Sequence, residues 1–328
     1  MKISIYYSNI NSDNRREGKN KMSLPLISVV IPNYNRGHLL QEVVKSVISQ
    51  TYSNWEIIVV DDFSTDDSLA VLKQLQEQIP QLIVHQLAEN SGANVCRNKG
   101  VELAKGELIA FLDSDDYFLP SKLEKQELIF RKYPEVGFVV TGFGSTAIHV
   151  PSEGLLYVGD TILQNNLGGF STLMVKKSLF LQIGGLDNSL LSCQDWDLFL
   201  KLLEVSKGYK ISEDLVVYEI QDDSISKNSN KVIQGYQVVS KRAAEINSRL
   251  KLVPERKLAS YQEYYLALRY YGLRDIGQVR HHLWQSLRIQ PTPLAAIYLV
   301  VSWFGWQVLH NFINFKNKLK KNLGNKTK

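Results

Sequence analysis

Asp113, Asp115 and Asp116 stand together directly after an apolar run, Glu107-Leu108-Ile109-Ala110-Phe111-Leu112. Three carboxylates this close repel one another, so they need water, a helix N-terminus or a hard cation to coexist. Oxygen-only ligands suit Mg²⁺ or Mn²⁺, which commonly bind through one or two carboxylates and complete their shell with substrate phosphate. The same acids would also serve as loop and N-cap residues ahead of Pro120-Ser121-Lys122-Leu123-Glu124. A second acidic pair, Asp195 and Asp197, opens a stretch in which Trp196, Phe199, Leu200 and Leu203 recur at helical spacing. Charge at a helix N-terminus accounts for that pair in the ordinary way; a carboxylate placed to accept a proton is the chemical alternative. A third acidic cluster, Asp61-Asp62, closes the apolar run from Trp55 to Val60.

Each cluster needs an element to deliver it. Continuous apolar runs read as strands buried on both faces, typical of a parallel sheet. In open α/β sheets ligands bind beyond the carboxyl ends of the strands. The first such run, Leu26 to Ile31, is broken by Pro32-Asn33-Tyr34-Asn35, and a helix is expected from about His38 to Gln50. Strands at Trp55 to Val60 and Leu82 to Gln86 follow, separated by a helix to about Gln78. A helix from about Ala93 to Ala104 leads into the run that ends at Asp113. This alternation predicts a parallel α/β sheet over the first hundred residues. After Pro134 the pattern loosens. Strands are expected at Val136 to Val140, Leu173 to Val175 and Leu215 to Ile220, with a turn at Gly184-Gly185-Leu186-Asp187. Neither glycine-rich phosphate signature is present: Gly37 is the only glycine in the turn after the first strand, and no G-x-x-x-x-G-K-[ST] occurs. A bound phosphate would need another counter-charge, which a carboxylate-held metal supplies.

With 328 residues, 44% of them hydrophobic and 22% charged, the chain can bury a large core and hold more than one domain. Two cysteines, Cys96 and Cys193, make neither a disulfide framework nor a paired metal spacing, which fits a reducing compartment. Residues 1–24 lack the pattern of a signal peptide and are expected to be a disordered extension, with Met22 an equally good first residue. The net charge of +5 is unevenly spread. Residues 1–240 hold 22 Lys and Arg against 29 Asp and Glu; residues 241–328 hold 16 against 4. The chain therefore divides into a catalytic domain at 25–240 and a basic helical region at 241–328. Tyr261 to Gln290 reads as a helical hairpin broken at Gly272-Leu273-Arg274-Asp275. An apolar helix is expected at about 293–312, followed by Lys316, Lys318, Lys320 and Lys321. That helix either packs on the catalytic domain or lies at an anionic membrane surface. Its apolar centre is shorter than the about 20 residues of a usual span. Nucleic acid is not an expected partner, because the lysines trail an apolar helix instead of lining a binding module.

In this order and spacing, the pieces resemble family 2 of the glycosyltransferases. The resemblance covers about Leu26 to Ser226. It rests on Ile27-Ser28-Val29-Val30-Ile31-Pro32-Asn33-Tyr34-Asn35, Gln50-Thr51-Tyr52, Val60-Asp61-Asp62-Phe63-Ser64-Thr65-Asp66 and Asn90-Ser91-Gly92. It continues through Arg97-Asn98-Lys99-Gly100, Phe111-Leu112-Asp113-Ser114-Asp115-Asp116, Gly184-Gly185-Leu186-Asp187 and Gln194-Asp195-Trp196-Asp197-Leu198. It implies an α/β domain of the GT-A fold with a C-terminal α-helical extension. It also implies inverting transfer from a nucleotide-diphospho-sugar, UDP by default, to an acceptor hydroxyl on a glycan or lipid-linked glycan. Pro32, Tyr34, Asp61, Asp62, Arg97, Asp113 and Asp115 would line the donor site, with Tyr34 against the base and Asp62 hydrogen-bonded to it. Asp113 and Asp115 would hold Mn²⁺ or Mg²⁺, and Asp195 would be the base. A location in the cytoplasm, peripheral at the inner face of the cell membrane, would follow. The chain departs from the family at Gln194, where Glu is common, and at Gln221, where His is common. Those departures leave a second reading open: a catalytically silent, nucleotide-sugar-binding scaffold subunit.

Overall fold

The computed structural model of the chain describes residues 24–142, 152–219 and 228–324, the last eight by their backbone alone. The expected extension at 1–24 lies, but for Leu24, outside the described residues. The first half alternates as anticipated: β1 (Ile27–Asn33), α1 (Gly37–Ile48), β2 (Trp55–Asp61), α2 (Ser68–Gln78), β3 (Leu82–Gln86), α3 (Ala93–Leu103) and β4 (Leu108–Phe111). Then come β5 (Asp116–Phe118), α4 (Lys122–Lys132), β6 (Val136–Gly142), β7 (Gly154–Leu156), β8 (Leu173–Lys176), α5 (Lys177–Gln182) and α6 (Gln194–Val205). β9 (Lys207–Asp214) and β10 (Val216–Tyr218) complete the strands.

Eight strands form one sheet in the order β3-β2-β1-β4-β8-β6-β9-β7. β3, β2, β1 and β4 are mutually parallel, so their carboxyl ends open on one side. β8 then runs antiparallel to both β4 and β6. β5 and β10 pair apart from the sheet as a short antiparallel ribbon that turns Asp116 back toward Tyr218. Every residue of β1 and β2 is buried, which is why they read as unbroken apolar runs. Their side chains alternate between two cores. Val30, Ile58 and Phe111 pack with α3 and α6, whereas Val29, Ile31, Val59 and Ala110 pack with α1, α2 and α4.

Two strand expectations are corrected. The strand expected over Leu215 to Ile220 is the shorter β10, and Ile220 lies outside the described residues. The longer neighbour β9 has no apolar run, because only Gly208–Ile211 is buried in it and both ends are exposed.

The C-terminal part is helical: α7 (Ser229–Leu250), α8 (Glu255–Gly272), α9 (Ile276–Ile289), α10 (Pro293–Ser302) and α11 (Trp306–Gly324). The boundary expected at residue 240 falls inside α7. That helix instead ties the two parts together, with Ile233, Tyr236 and Val239 in the sheet core. α8 and α9 form the expected hairpin, closed by hydrogen bonds between the buried Ser260 and Ser286. They share a separate core with the last two helices, through Ala267, Leu283, Ala295, Tyr298 and Leu309. The single apolar helix expected at 293–312 is two helices. The amides of Trp303, Phe304 and Gly305 bond back three residues, and Gly305 takes a φ of 96°, a left-handed conformation that ends α10. Trp303 and Phe304 are left 69% and 72% exposed at the turn. Among the described residues, no helix is long and apolar enough to cross a membrane.

Candidate active site

The carboxyl ends of β1, β2 and β4 open into a cavity of about 830 Å³. That is ample for a nucleotide-sized ligand. Pro32 and Tyr34, just beyond β1, line it. Asp61 does not. It is fully buried and accepts from Asn33 Nδ2 at 2.8 Å, Ser64 Oγ at 2.6 Å and Ser64 N–H at 2.9 Å. These bonds shape the loop after β2. Its neighbour Asp62 lines the cavity and accepts the N–H groups of Ser91 (2.7 Å) and Gly92 (2.9 Å). Gly92 takes a φ of 92°, which glycine adopts without strain, and it stands at the N-terminus of α3.

α3 in turn presents Arg97. Its Nη2 is 2.6 Å from Asp113 Oδ1, and its guanidinium lies 3.8 Å from the centroid of Phe170. Among the described residues, the buried Arg97 Nε has no hydrogen-bond partner. Asn94 and Asn98 on the same helix hold the backbone of Leu186 and Asp187. The turn at Gly184-Gly185, with φ of 76° and 67°, is thereby fixed ahead of α6. These motifs are distant in sequence but joined through α3.

The three acids after β4 separate. Asp113 and Asp115 line the cavity. Asp116 turns inward, 1% exposed, where Ser171 Oγ donates to it at 2.5 Å and the Glu219 N–H at 3.3 Å. Burial first, then the charges of Asp113 and Asp115, push its carboxyl up to about 8. Ser171 also accepts the Asp113 N–H at 3.1 Å. Among the described residues, no group of three or more His, Cys, Asp or Glu forms a ready cation cage. Two cavity-facing carboxylates with a third withdrawn are the partial oxygen set that Mg²⁺ or Mn²⁺ completes with phosphate and water. The residues present fit such an ion.

Asp195 occupies the first turn of α6 and lines the same cavity, half-buried. Its Oδ1 accepts the Trp196 N–H and its Oδ2 accepts from Asn165 Nδ2, both at 2.8 Å. Burial pushes its pKa up to about 6, against those hydrogen bonds and the positive Arg97. Asp197 plays a different part. It is fully buried and pairs with Lys201 at 3.1 Å and with Arg242, pinning α7 to α6. Asp197 is thus tied up in ion pairs between helices, whereas Asp195 faces the cavity. Gln194 lines the cavity and donates to the Leu190 carbonyl at 3.2 Å. Gln221 lies outside the described residues.

The rest of the wall was not anticipated. Gln164, Asn165 and Phe170 come from the segment before β8. Lys231 and Tyr236 come from α7, and Tyr265 and Arg269 from α8. No motif marks them, because they sit on helices whose pattern reports only packing.

Residues 28–170 match the family described as Glycosyl transferase family 2. A Bacillus subtilis protein named as a putative teichuronic acid biosynthesis glycosyltransferase, TuaG, is 38% identical over 63% of this chain and 84% of its own. The putative colanic acid biosynthesis glycosyl transferase WcaA of Escherichia coli is 31% identical over 65% and 79%. Among solved structures, S. aureus TarS with UDP-GlcNAc superposes with a TM-score of 0.62 at 16% identity, over 88% of this chain and 91% of that one. The mannosyltransferase PcManGT of Pyrobaculum calidifontis with GDP-Man and Mn²⁺ gives 0.61 at 17%, over 92% and 85%. The fold is that of GT-A glycosyltransferases, as the sequence implied. The chain is a glycosyltransferase, and it belongs to family 2 of these enzymes.

Proposed function

We propose that this enzyme transfers a sugar from a nucleotide-diphospho-sugar to an acceptor hydroxyl with inversion, in a single displacement with Asp195 as base. The observation that carries this reading is Asp195 itself, fixed by two hydrogen bonds and raised to about 6 by burial, in a cavity shared with Asp113 and Asp115. A group with that pKa is charged at neutral pH and still basic enough to take the acceptor proton as the hydroxyl attacks. Asn165 and the Trp196 amide fix its two oxygens, which limits the directions from which a hydroxyl approaches. No second carboxylate is needed as nucleophile, in contrast to a retaining hydrolase.

On the donor side, Tyr34 would lie against the base and Asp62 beside it, with Arg97 and Asp113 near the ribose and diphosphate. A divalent ion held by Asp115 and Asp113 would supply Lewis-acid neutralisation of the charge that grows on the leaving diphosphate. UDP is the nucleotide we favour; the solved neighbours hold either UDP-GlcNAc or GDP-Man. The names of the relatives support an acceptor in cell-surface polysaccharide synthesis, as a glycan or its lipid-linked precursor. The last helices support a cytoplasmic enzyme resting on the inner face of an anionic membrane. Residues 276–328 contain eight Lys and Arg and no Asp or Glu, and Trp303 and Phe304 stand exposed among them.

The test is proton NMR of the product formed from an α-linked UDP-sugar. A β-linked product, with UDP released mole for mole and turnover by Asp195→Asn reduced about a thousandfold, is expected. An α-linked product would overturn the single displacement.

A further inference from the structure

Three features converge on the wall of the cavity formed by α7 and α8. The first is an aromatic ladder. Trp196 stacks on Tyr236 with centroids 5.4 Å apart, and Tyr236 on Tyr265 at 4.1 Å. The second is an orphan hydroxyl. Tyr236 is 1% exposed, lines the cavity, and among the described residues its Oη has no hydrogen-bond partner. A buried hydroxyl left unsatisfied is costly and calls for an explanation. Burial and the neighbouring Tyr265 and Tyr261 raise its pKa well above the usual value, so it stays a neutral donor. The third is an uncompensated cation. Arg269 lies 4.5 Å over the Tyr265 ring and donates to the Tyr265 hydroxyl, but among the described residues no carboxylate pairs with it. Lys231 adds a second positive charge to the same wall. Of the cavity's acids, Asp62, Asp113 and Asp115 lie on the strand-end side, and Asp195 stands at the border of this wall.

We infer that this wall is the acceptor subsite and that it selects a glycan carrying a negative group, carboxylate or phosphate, which Arg269 receives while Tyr236 donates to a sugar oxygen. The inference rests on the transferase reading, since the occupant is the acceptor. It adds what that reading leaves open: the chemical class of the acceptor, and the residues of the helical region that recognise it. An Arg guanidinium suits both anions through paired N–H donors. The stacked rings, covered by one another and by Arg269, hold the Tyr236 hydroxyl and the guanidinium in fixed positions.

The experiment uses the full chain with Mn²⁺, and UDP is titrated first. Methyl β-D-glucuronide, N-acetylglucosamine 1-phosphate and neutral methyl β-D-glucoside are then titrated into the UDP-loaded protein by saturation-transfer NMR. At least one anionic glycoside is expected to bind about tenfold or more tighter than the neutral one, as one charge-assisted contact provides. The two anionic arms tell a uronic acid from a sugar phosphate. Arg269→Gln should erase the preference and leave UDP affinity unchanged, and Arg269→Lys should restore part of it. Tyr236→Phe should weaken glycoside binding several-fold without lowering the melting temperature, which separates ligand recognition from a structural role. Equal binding of neutral and anionic glycosides, or none by protein that binds UDP, overturns the inference. So does loss of UDP affinity in Arg269→Gln, which would assign the arginine to the donor. Failure of UDP itself to bind overturns the transferase reading as well.

Discussion

The two halves of the cavity are constructed differently. The half we assign to the donor hangs on strand ends, and most of its charged groups are answered from within the chain, Arg97 Nε being left over. Asp62 is met by two backbone amides, Arg97 by Asp113, and Asp116 by Ser171. The opposite half is made of helices and, among the described residues, leaves Tyr236 Oη without a partner and Arg269 without a carboxylate. Charges fixed before the ligand arrives favour a preorganised diphosphate site. Groups left unsatisfied favour a wall completed by its ligand. Asp195, at the head of α6, stands between the two halves.

The sharpest way to break this comparison is at its centre. Asp195→Asn should lower kcat by about a thousandfold, within the usual range for losing a general base, with UDP affinity unchanged by calorimetry. An equal loss of UDP affinity would put Asp195 in the donor half. Asp115→Asn comes next: Mn²⁺-dependent UDP affinity should drop by about a hundredfold, as expected when a group holding a charge-neutralising ion is lost. The glycosides that test the opposite wall should bind it as before.

The pH profile gives a smaller effect with a definite sign. A pKa raised to about 6 leaves Asp195 charged above that pH and protonated below it. The rate should therefore be flat from pH 7 to 8 and fall about tenfold per unit below 6. Asn165→Ala removes a hydrogen bond to the charged form, so the limb should move to higher pH. A downward move would mean that the amide does not hold the base. Trp303→Ala with Phe304→Ala tests a region remote from both halves. Sedimentation with vesicles rich in phosphatidylglycerol should weaken by about tenfold, on the scale of two exposed apolar side chains, while UDP binding stays constant. The smallest effect is expected from Gly92→Ala. The added methyl meets nothing within 4 Å, so only the φ of 92° is strained, at a cost of about 1–2 kcal/mol read as a lowered melting temperature.

The same contrast explains what was legible in the sequence. Strands buried on both faces leave unbroken apolar runs, and the acids at their ends mark the donor half as contiguous motifs. β1, β2 and β4 could be read off directly, with Asp62, Asp113 and Asp115 behind them. Asp61 and Asp62 could not be told apart, because adjacent residues at a strand end point to opposite faces and sequence does not say which faces the cavity. β9 stayed hidden because its ends are polar and exposed. The helix break at Gly305 was hidden by the uniformly apolar residues around it, since only backbone conformation separates α10 from α11. The wall of Tyr236, Tyr265 and Arg269 left no mark, because it is assembled from single residues on two helices whose spacing reports core packing. Asp195 and Asp197 show the limit most clearly: two acids in one helical turn, alike in sequence, one facing the cavity and the other locked to Lys201 and Arg242.

The most direct test of the central claim, a donor site preorganised around Asp113 and Asp115, is calorimetric titration of the full chain with UDP, GDP and dTDP, in Mn²⁺ and then in EDTA. Binding of one nucleotide, UDP by our account, that is lost in EDTA and in Asp115→Asn is the predicted result. Absence of binding by all three in the presence of Mn²⁺, with the protein folded, would contradict it.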